Sequence, residues 1–298
     1  MHNLAQVDDG VAAAGRAMSD ERLADRPPAP DPLPIAVADN HCHLDTQREG
    51  AERLPVEQVV REAAAVGVDR LVQIGCDIEA ARWTVQVVDE HPAVLGGVAI
   101  HPNEAPGHEA TGDLDAAIDE IGALAGHTRI RVIGETGLDY FRTGEEGVAA
   151  QQHSFRRHIA LAKELGLALQ IHDRDAHDDV LRILAEEGAP EKTVLHCFSG
   201  DMEMARECVR RGYYLSFAGT VTFKSAKDLR NALAVTPVEH LLVETDAPYL
   251  TPTPHRGQVN APYLVPLTVR AMAATLNTSV PQLCEALSAT SEAVYGPW

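Results

Sequence analysis

From Ile35 onward the chain repeats one pattern: a short, largely β-branched apolar run, a polar residue at its end, then a stretch with helical spacing of apolar positions. The runs are Ile35–Ala38, Arg70–Ile74, Val94–Ile100, Ile130–Ile133, Leu167–Ile171, Thr193–Leu195, Tyr213–Phe217 and Leu241–Val243. Helical spacing fills residues 56–66, 79–90, 113–125, 148–165, 175–187, 201–211 and 225–235, and two further helices are expected at 262–276 and 280–294. Strands alternating with helices predict parallel βα units joined by right-handed crossovers. Eight units in about 260 residues predict a closed (β/α)8 TIM barrel, an α/β fold. The rival is an open doubly wound sheet. No G-x-G-x-x-G follows the first run, which removes its dinucleotide-binding form.

Residues 1–34 break the pattern. They are rich in Ala, Asp and Pro and end in Arg26-Pro27-Pro28-Ala29-Pro30-Asp31-Pro32-Leu33-Pro34. Proline at that density cannot sustain a helix interior, so a mobile or extended leader is expected, with the barrel over 35–298.

In a parallel barrel every strand delivers its last residues to one rim, where barrel enzymes place their chemistry. The first run leads into Asp39-Asn40-His41-Cys42-His43-Leu44-Asp45. Strand alternation puts His41 and His43 on one face and Cys42 on the other, half of a chelate for a divalent ion. Later runs end in His101-Pro102, Glu135, His172-Asp173-Arg174, His196 and Glu244-Thr245-Asp246. One such residue would ordinarily be a cap or turn former. So many ionisable groups aimed at one mouth are costly to bury unless a cation holds them. The expected ligands are His41, His43, Glu135, His172, His196 and Asp246. His41 and His43 group with Asp246 because strand eight closes beside strand one, and His172 groups with His196. Glu135, with two oxygens, is placed to bridge two ions, the arrangement of hydrolytic two-metal sites. Asp246 is also the candidate general base. Glu244 faces the same way and is expected either to join the site or to support it, and His101 to bind substrate or metal or to brace the rim. Mixed N/O ligands suit zinc, manganese or magnesium equally.

Charge adjusts this picture little. The chain has 25 basic and 44 acidic residues, a formal −19, which argues against broad electrostatic binding to nucleic acid but not against local neutralisation by metal ions. Against that background Arg174, Lys224 and Arg256 near the rim suit an anionic substrate, and the Ser199-Gly200 turn is a candidate phosphate cradle. Five scattered cysteines (Cys42, Cys76, Cys197, Cys208, Cys284) form no disulfide framework. With no long apolar run and no signal-like start, a cytoplasmic protein without membrane association is expected. A monomer is the default.

The motifs Asp39–Asp45, Ile133-Gly134-Glu135-Thr136-Gly137-Leu138-Asp139-Tyr140, Ile171–Arg174, His196-Cys197-Phe198-Ser199-Gly200 and Glu244-Thr245-Asp246-Ala247-Pro248-Tyr249-Leu250 together resemble the TatD-type metal-dependent hydrolases of the amidohydrolase superfamily. The resemblance runs from about Asp39 to the C-terminus and includes Thr222-Phe223-Lys224 and His255–Asn260. It implies a metal-dependent deoxyribonuclease, often a 3′ exonuclease, with DNA, single-stranded or at its ends, as substrate, two divalent ions as cofactor and the same six ligands. Asn40 stands where the family usually has Ser, and Ala99 where it usually has Gly, which bears on substrate preference. Glu135 takes the place of the modified lysine of other superfamily branches, which argues against their cyclic-amide and triester chemistry. The other enzyme reading is a hydrolase of an ester, a lactone or an aminoacyl-tRNA bond. A scaffold that keeps only a structural metal would be expected to lack at least one of the six.

Overall fold

The computed structural model describes residues 26–48, 51 and 53–298. Its strands are β1 (Val37–Cys42), β2 (Val68–Gly75), β3 (Val94–Val98), β4 (Ile130–Asp139), β5 (Ala168–Arg174), β6 (Thr193–Leu195), β7 (Tyr214–Phe217) and β8 (Leu241–Val243). All are parallel and pair in chain order. The helices are α1 (Val56–Ala65), α2 (Ile78–Glu90), α3 (Ala105–Thr111), α4 (Leu114–Ala125), α5 (Glu145–Leu165), α6 (His177–Glu187), α7 (Met202–Arg210), α8 (Lys227–Val235), α9 (Val265–Leu276) and α10 (Val280–Tyr295). This is the TIM barrel that the alternation predicts.

Strand alternation sorts the core into two layers. Val72, Ile74, Leu95, Val132, Val194 and Leu242 cluster with Val294 and Tyr295 of α10, filling the barrel's inside. Their neighbours Leu71, Ile133, Leu169, Leu195, Leu215 and Leu241 pack outward against the helices. The chain end lies against the lower part of β2, where the Trp298 indole N–H donates to the Leu71 carbonyl (3.4 Å) and Arg70 covers the Trp298 ring.

Closure between β8 and β1 is not a regular ladder. An isolated bridge links Cys42 to Ala247. Around it, Asp246 N donates to the His41 carbonyl (2.9 Å), His43 N to the Ala247 carbonyl (2.8 Å) and the Asn40 amide to the Val243 carbonyl (2.7 Å). The buried Asp39 carboxylate accepts from Thr245 N (2.9 Å) and the Thr245 hydroxyl (2.5 Å). Burial pushes Asp39 up to about 7 despite these bonds. The seam is therefore made of the residues that flank the candidate ligands.

β4 runs much further than its apolar residues predict, through Gly134–Asp139, because its second half still pairs with β5 as far as Arg174. Gly137 makes that possible. Its φ is +134°, and a Cβ there would lie 2.1 Å from the His172 carbonyl oxygen. α3 was not expected; it carries Pro106 in its first turn, where proline is tolerated.

Of the predicted leader, residues 1–25 lie outside the described residues. The following segment runs over the barrel. Leu33 is buried and its N–H donates to the Val66 carbonyl, while the Tyr263 hydroxyl donates to the Pro27 carbonyl (2.6 Å) and Arg270 holds those of Asp31 and Pro32. Among the described residues no helix is long and apolar enough to cross a membrane.

Gly137→Ala should force β4 and β5 apart beneath His172 and cost about 3 kcal/mol or more, the range of overpacking combined with a disfavoured backbone. A thermal melt tests this: a drop of roughly 5 °C or more is expected, and an unchanged melting temperature would contradict the close approach.

Candidate metal centre

Six ionisable side chains meet at the carboxyl ends of the strands: His41 and His43 from β1 and its end, Glu135 from β4, His172 from β5, and His196 and Asp246 just beyond β6 and β8. Glu135 sits at the middle. Its Oε1 lies 2.6 Å from His172 Nδ1, 2.8 Å from His196 Nε2 and 3.4 Å from His101 Nε2. Its Oε2 lies 3.5 Å from His41 Nε2 and 3.9 Å from His43 Nε2. Asp246 Oδ1 closes that second group, 3.3 Å from His43 Nε2 and 3.8 Å from His41 Nε2. One carboxylate thus turns a different oxygen to each of two imidazole groups.

The far nitrogen of each imidazole is also held. His41 Nδ1 is 2.7 Å from Gln170 Oε1, His43 Nδ1 3.1 Å from the Ile74 carbonyl, His172 Nε2 3.1 Å from Asp139 Oδ2 and His196 Nδ1 3.1 Å from Glu244 Oε1. Each of these partners is an acceptor, so with a cation bound the far nitrogen would carry the proton and the near nitrogen would offer its lone pair to the centre. For His41 this is over-determined. Both hydrogens of the Gln170 amide are used, on the Asn40 carbonyl (2.8 Å) and the Tyr295 hydroxyl (2.7 Å), which leaves the Gln170 oxygen to face the ring.

Without a cation these groups titrate each other. Burial opposes charge on His172, but hydrogen bonds to Asp139 and Glu135 outweigh it and raise the imidazole to about 9. Burial likewise opposes charge on His196 and His43, yet Glu135 and Glu244 raise the first, while Cys76 and Asp246 raise the second. Burial alone would raise Glu135 and Asp246; the surrounding imidazoles pull both below the ordinary carboxylate range. His41 moves the other way, lowered by burial and by the charge of His196, on which it stacks at 3.8 Å. The pocket demands positive charge, and a donor set of near-nitrogen lone pairs with central carboxylates fits divalent ions.

The sequence-derived grouping changes in two places. His196 is not confined to the His172 side, because its ring stacks on His41 and shares Glu135 with it. His101 enters the cluster beside Glu135 and His172. Glu244 is fully buried behind His196, with one oxygen on the His196 ring and the Cys197 N–H (2.8 Å) and its Oε2 unpartnered. The Ser199-Gly200 turn is not a free cradle: the Ser199 hydroxyl donates to the Asp173 carbonyl, and the Asp201 carboxylate already accepts from the first amides of α7.

Three residues escaped the sequence reading. Cys76, at the end of β2, holds its thiol 3.8 Å from His43 Nδ1 and 3.7 Å from Glu135 Oε2. Asp139 and Gln170 are the other two, and strand spacing could have found Gln170, which lies two positions before His172 on the same face. Arg174, Lys224 and Arg256 lie on the rim without direct contact to the cluster. Arg174 covers the Phe141 ring, Arg256 covers the Phe223 ring and Lys224 is exposed.

Residues 38–296 match the family described as TatD related DNase. The chain belongs to the TatD family. It is 43% identical over 265 residues to an uncharacterized metal-dependent hydrolase, TatD, of Mycobacterium tuberculosis, covering 87% of this chain and 98% of that protein. It is 36% identical over 251 residues to the Escherichia coli metal-dependent hydrolase YcfH, covering 84% of this chain and 91% of that one. The crystal structure of the E. coli TatD homologue YJJV superposes with a TM-score of 0.79 at 23% identity, covering 88% of this chain and 98% of that one. An organophosphorus hydrolase from Deinococcus radiodurans shares the fold at a TM-score of 0.58 and 13% identity. This TatD-family chain is thus a metal-dependent hydrolase by kinship, and its mouth offers groups able to hold metal.

A folded pKa of about 9 against an ordinary 6.5 means that the His172 proton stabilises the metal-free fold fully below pH 6.5, and that this stability is lost as pH rises through 9. The melting temperature of metal-stripped protein should therefore fall over that window. Saturating metal, which displaces the proton, should flatten the fall, and so should His172→Asn. A metal-free melting temperature that stays constant or rises between those values would contradict the assignment.

Proposed function

We propose that the protein hydrolyses phosphodiester bonds of DNA, shortening strands from the 3′ end, with two divalent ions held by His41, His43, Glu135, His172, His196 and Asp246. The observation that carries this reading is the division of Glu135 between two imidazole groups, Oε1 toward His172 and His196 and Oε2 toward His41 and His43. A single ion would need only one of these groups. The family description, TatD related DNase, and the rim cations Arg174, Lys224 and Arg256 support a phosphodiester substrate over an ester, a lactone or an aminoacyl bond.

Bound divalent ions supply Lewis acidity, which polarises the phosphoryl group, lowers the pKa of water and stabilises the leaving oxygen. The chain's own residues do the rest. Glu135 fixes the separation of the two positions. Gln170, the Ile74 carbonyl, Asp139 and Glu244 hold the imidazoles at the right tautomer and angle, so that little reorganisation is needed during reaction. Asp246 reaches into the mouth with its side chain 15% exposed, against 5% for Glu135, so water can approach its carboxylate. Its low pKa keeps it ionised and able to take a proton from water at Oδ. His101, beside Glu135, orients substrate from the β3 side.

Metal-stripped protein given magnesium, manganese or zinc should shorten a 5′-labelled single strand stepwise, and chelator should stop it. Hydrolysis of small esters or charged tRNA but never of a phosphodiester would overturn the reading. Glu135→Ala should lower bound metal and reduce the rate by about a thousandfold or more, comparable with losing an electrostatic stabiliser of the transition state. A variant retaining two ions per chain and a near-normal rate would refute the bridging role. Asp246→Asn should reduce kcat far more than metal content if the carboxylate is the base, and both equally if it is only a ligand.

A further inference from the structure

The six expected ligands come from β1, β4, β5, β6 and β8 or their ends, and their nitrogens and oxygens do not separate zinc from manganese or magnesium. β2 supplies a seventh donor of a different kind. Cys76 follows that strand directly, and its sulfur is 3.7 Å from Glu135 Oε2 and 3.8 Å from His43 Nδ1. Two donors on one zinc ion, at about 2.3 Å for sulfur and about 2.0–2.2 Å for oxygen, stand about 3.5 Å apart across a tetrahedral angle. The donor atoms of His43, Cys76 and Glu135 all lie within 4.8 Å of one another, as do those of His41, His43 and Asp246. His43 belongs to both groups, and Glu135 Oε2 is the oxygen that faces His41 and His43. The thiol therefore adds to the β1 side of the centre and not to the His172 side.

The other four cysteines are placed differently. Cys42, Cys208 and Cys284 are buried in the hydrophobic core, with Cys42 Sγ donating to the Val72 carbonyl (3.5 Å). Cys197 follows His196, yet among the described residues its sulfur joins no group of donors close enough to share an ion. Nor does Cys76 sit on a loose loop. Its carbonyl accepts from His101 N (2.9 Å) and the Gly75 carbonyl from Ala99 N (3.1 Å), which locks the end of β2 against β3. On the other side Asp77 caps α2 by accepting from Ala80 N (2.7 Å). Gly75 lets that helix start come close, since a Cβ there would lie 2.8 Å from the Ala80 backbone. A side chain set between a locked strand end and a helix cap is held ready for an ion.

We propose that Cys76 is a further ligand of the ion held by His41, His43 and Asp246, and that its sulfur makes this position select zinc over magnesium. The proposal rests on the metal-centre reading and adds the identity of one ion to it. On binding, the S–H bond breaks, its proton leaves to solvent and a sulfur lone pair takes the ion. Thiolate is a soft donor that suits zinc, whereas magnesium prefers oxygen. The other position, with the imidazoles of His101, His172 and His196 around Glu135 Oε1, has no sulfur beside it. The two positions consequently differ in metal preference.

Cobalt(II) reports sulfur directly, because a cobalt–thiolate bond gives an intense near-ultraviolet charge-transfer band that nitrogen and oxygen ligands do not give. Metal-stripped protein titrated with cobalt should develop this band. Cys76→Ser should lose the band yet keep the weaker visible bands of bound cobalt, and Cys197→Ser should keep both. The zinc affinity of Cys76→Ser should fall at least about tenfold, the lower end of what a lost outer-shell partner costs, with magnesium affinity unchanged. In the wild-type chain, where no substitution can disturb the fold, zinc but not magnesium should protect Cys76 from alkylation by iodoacetamide, read by peptide mass. Cobalt bound without the band, or a band that survives Cys76→Ser, would overturn the thiol ligand and leave the metal centre standing. A Cys76 alkylated equally with and without zinc would do the same. A wild type that binds neither cobalt nor zinc would overturn the metal centre and the thiol ligand together.

Discussion

The centre of this molecule is a buried carboxylate that cannot be neutral and cannot stand alone. Against burial, Glu135 is held ionised by His196, His101 and His172, and His172, His196 and His43 are raised by carboxylates among Glu135, Asp139, Glu244 and Asp246, while His41 is lowered. Protons satisfy this arrangement poorly, because histidine pairs such as His41 and His196 then repel each other in a desolvated space. Divalent ions would satisfy it better, replacing several protons with compact charges.

Much of the surrounding fold exists to keep that carboxylate in place. Gly137 lets β4 stay paired with β5 past the point where a side chain would collide with His172. The seam between β8 and β1, bound by Asp39, Asn40 and backbone groups of His41 and Asp246, carries the second imidazole group into register with Asp246. Support also runs down through the barrel: His41 leans on Gln170, and Gln170 on Tyr295 of the last helix. The candidate metal site is thus tied to the packing of α10, and the barrel floor and the rim are coupled through one amide.

The barrel was legible in the sequence because buried parallel strands write continuous apolar runs, and β6 and β8 fall at the residues those runs mark. The six candidate ligands were legible because each follows such a run. The extent of β4 was not, since Gly134 to Asp139 carry little apolar signal and their pairing depends on a neighbour strand rather than on their own propensity. α3 was hidden by Pro106 and Gly107. Cys76 was hidden for a different reason: strand endings can be read one at a time, but which side chains from different strands touch is set by barrel stagger. The same stagger placed His196 against His41 and brought His101 into contact with Glu135.

The central claim is that Glu135 lies between two ions, one oxygen to each. The most direct measurement is anomalous diffraction from crystals grown with manganese. The account predicts two peaks about 3.5–4 Å apart, with Oε1 on the ion beside His172 and Oε2 on the ion beside His41 and His43. A single peak at full occupancy, or two peaks with both Glu135 oxygens on the same ion, would contradict it.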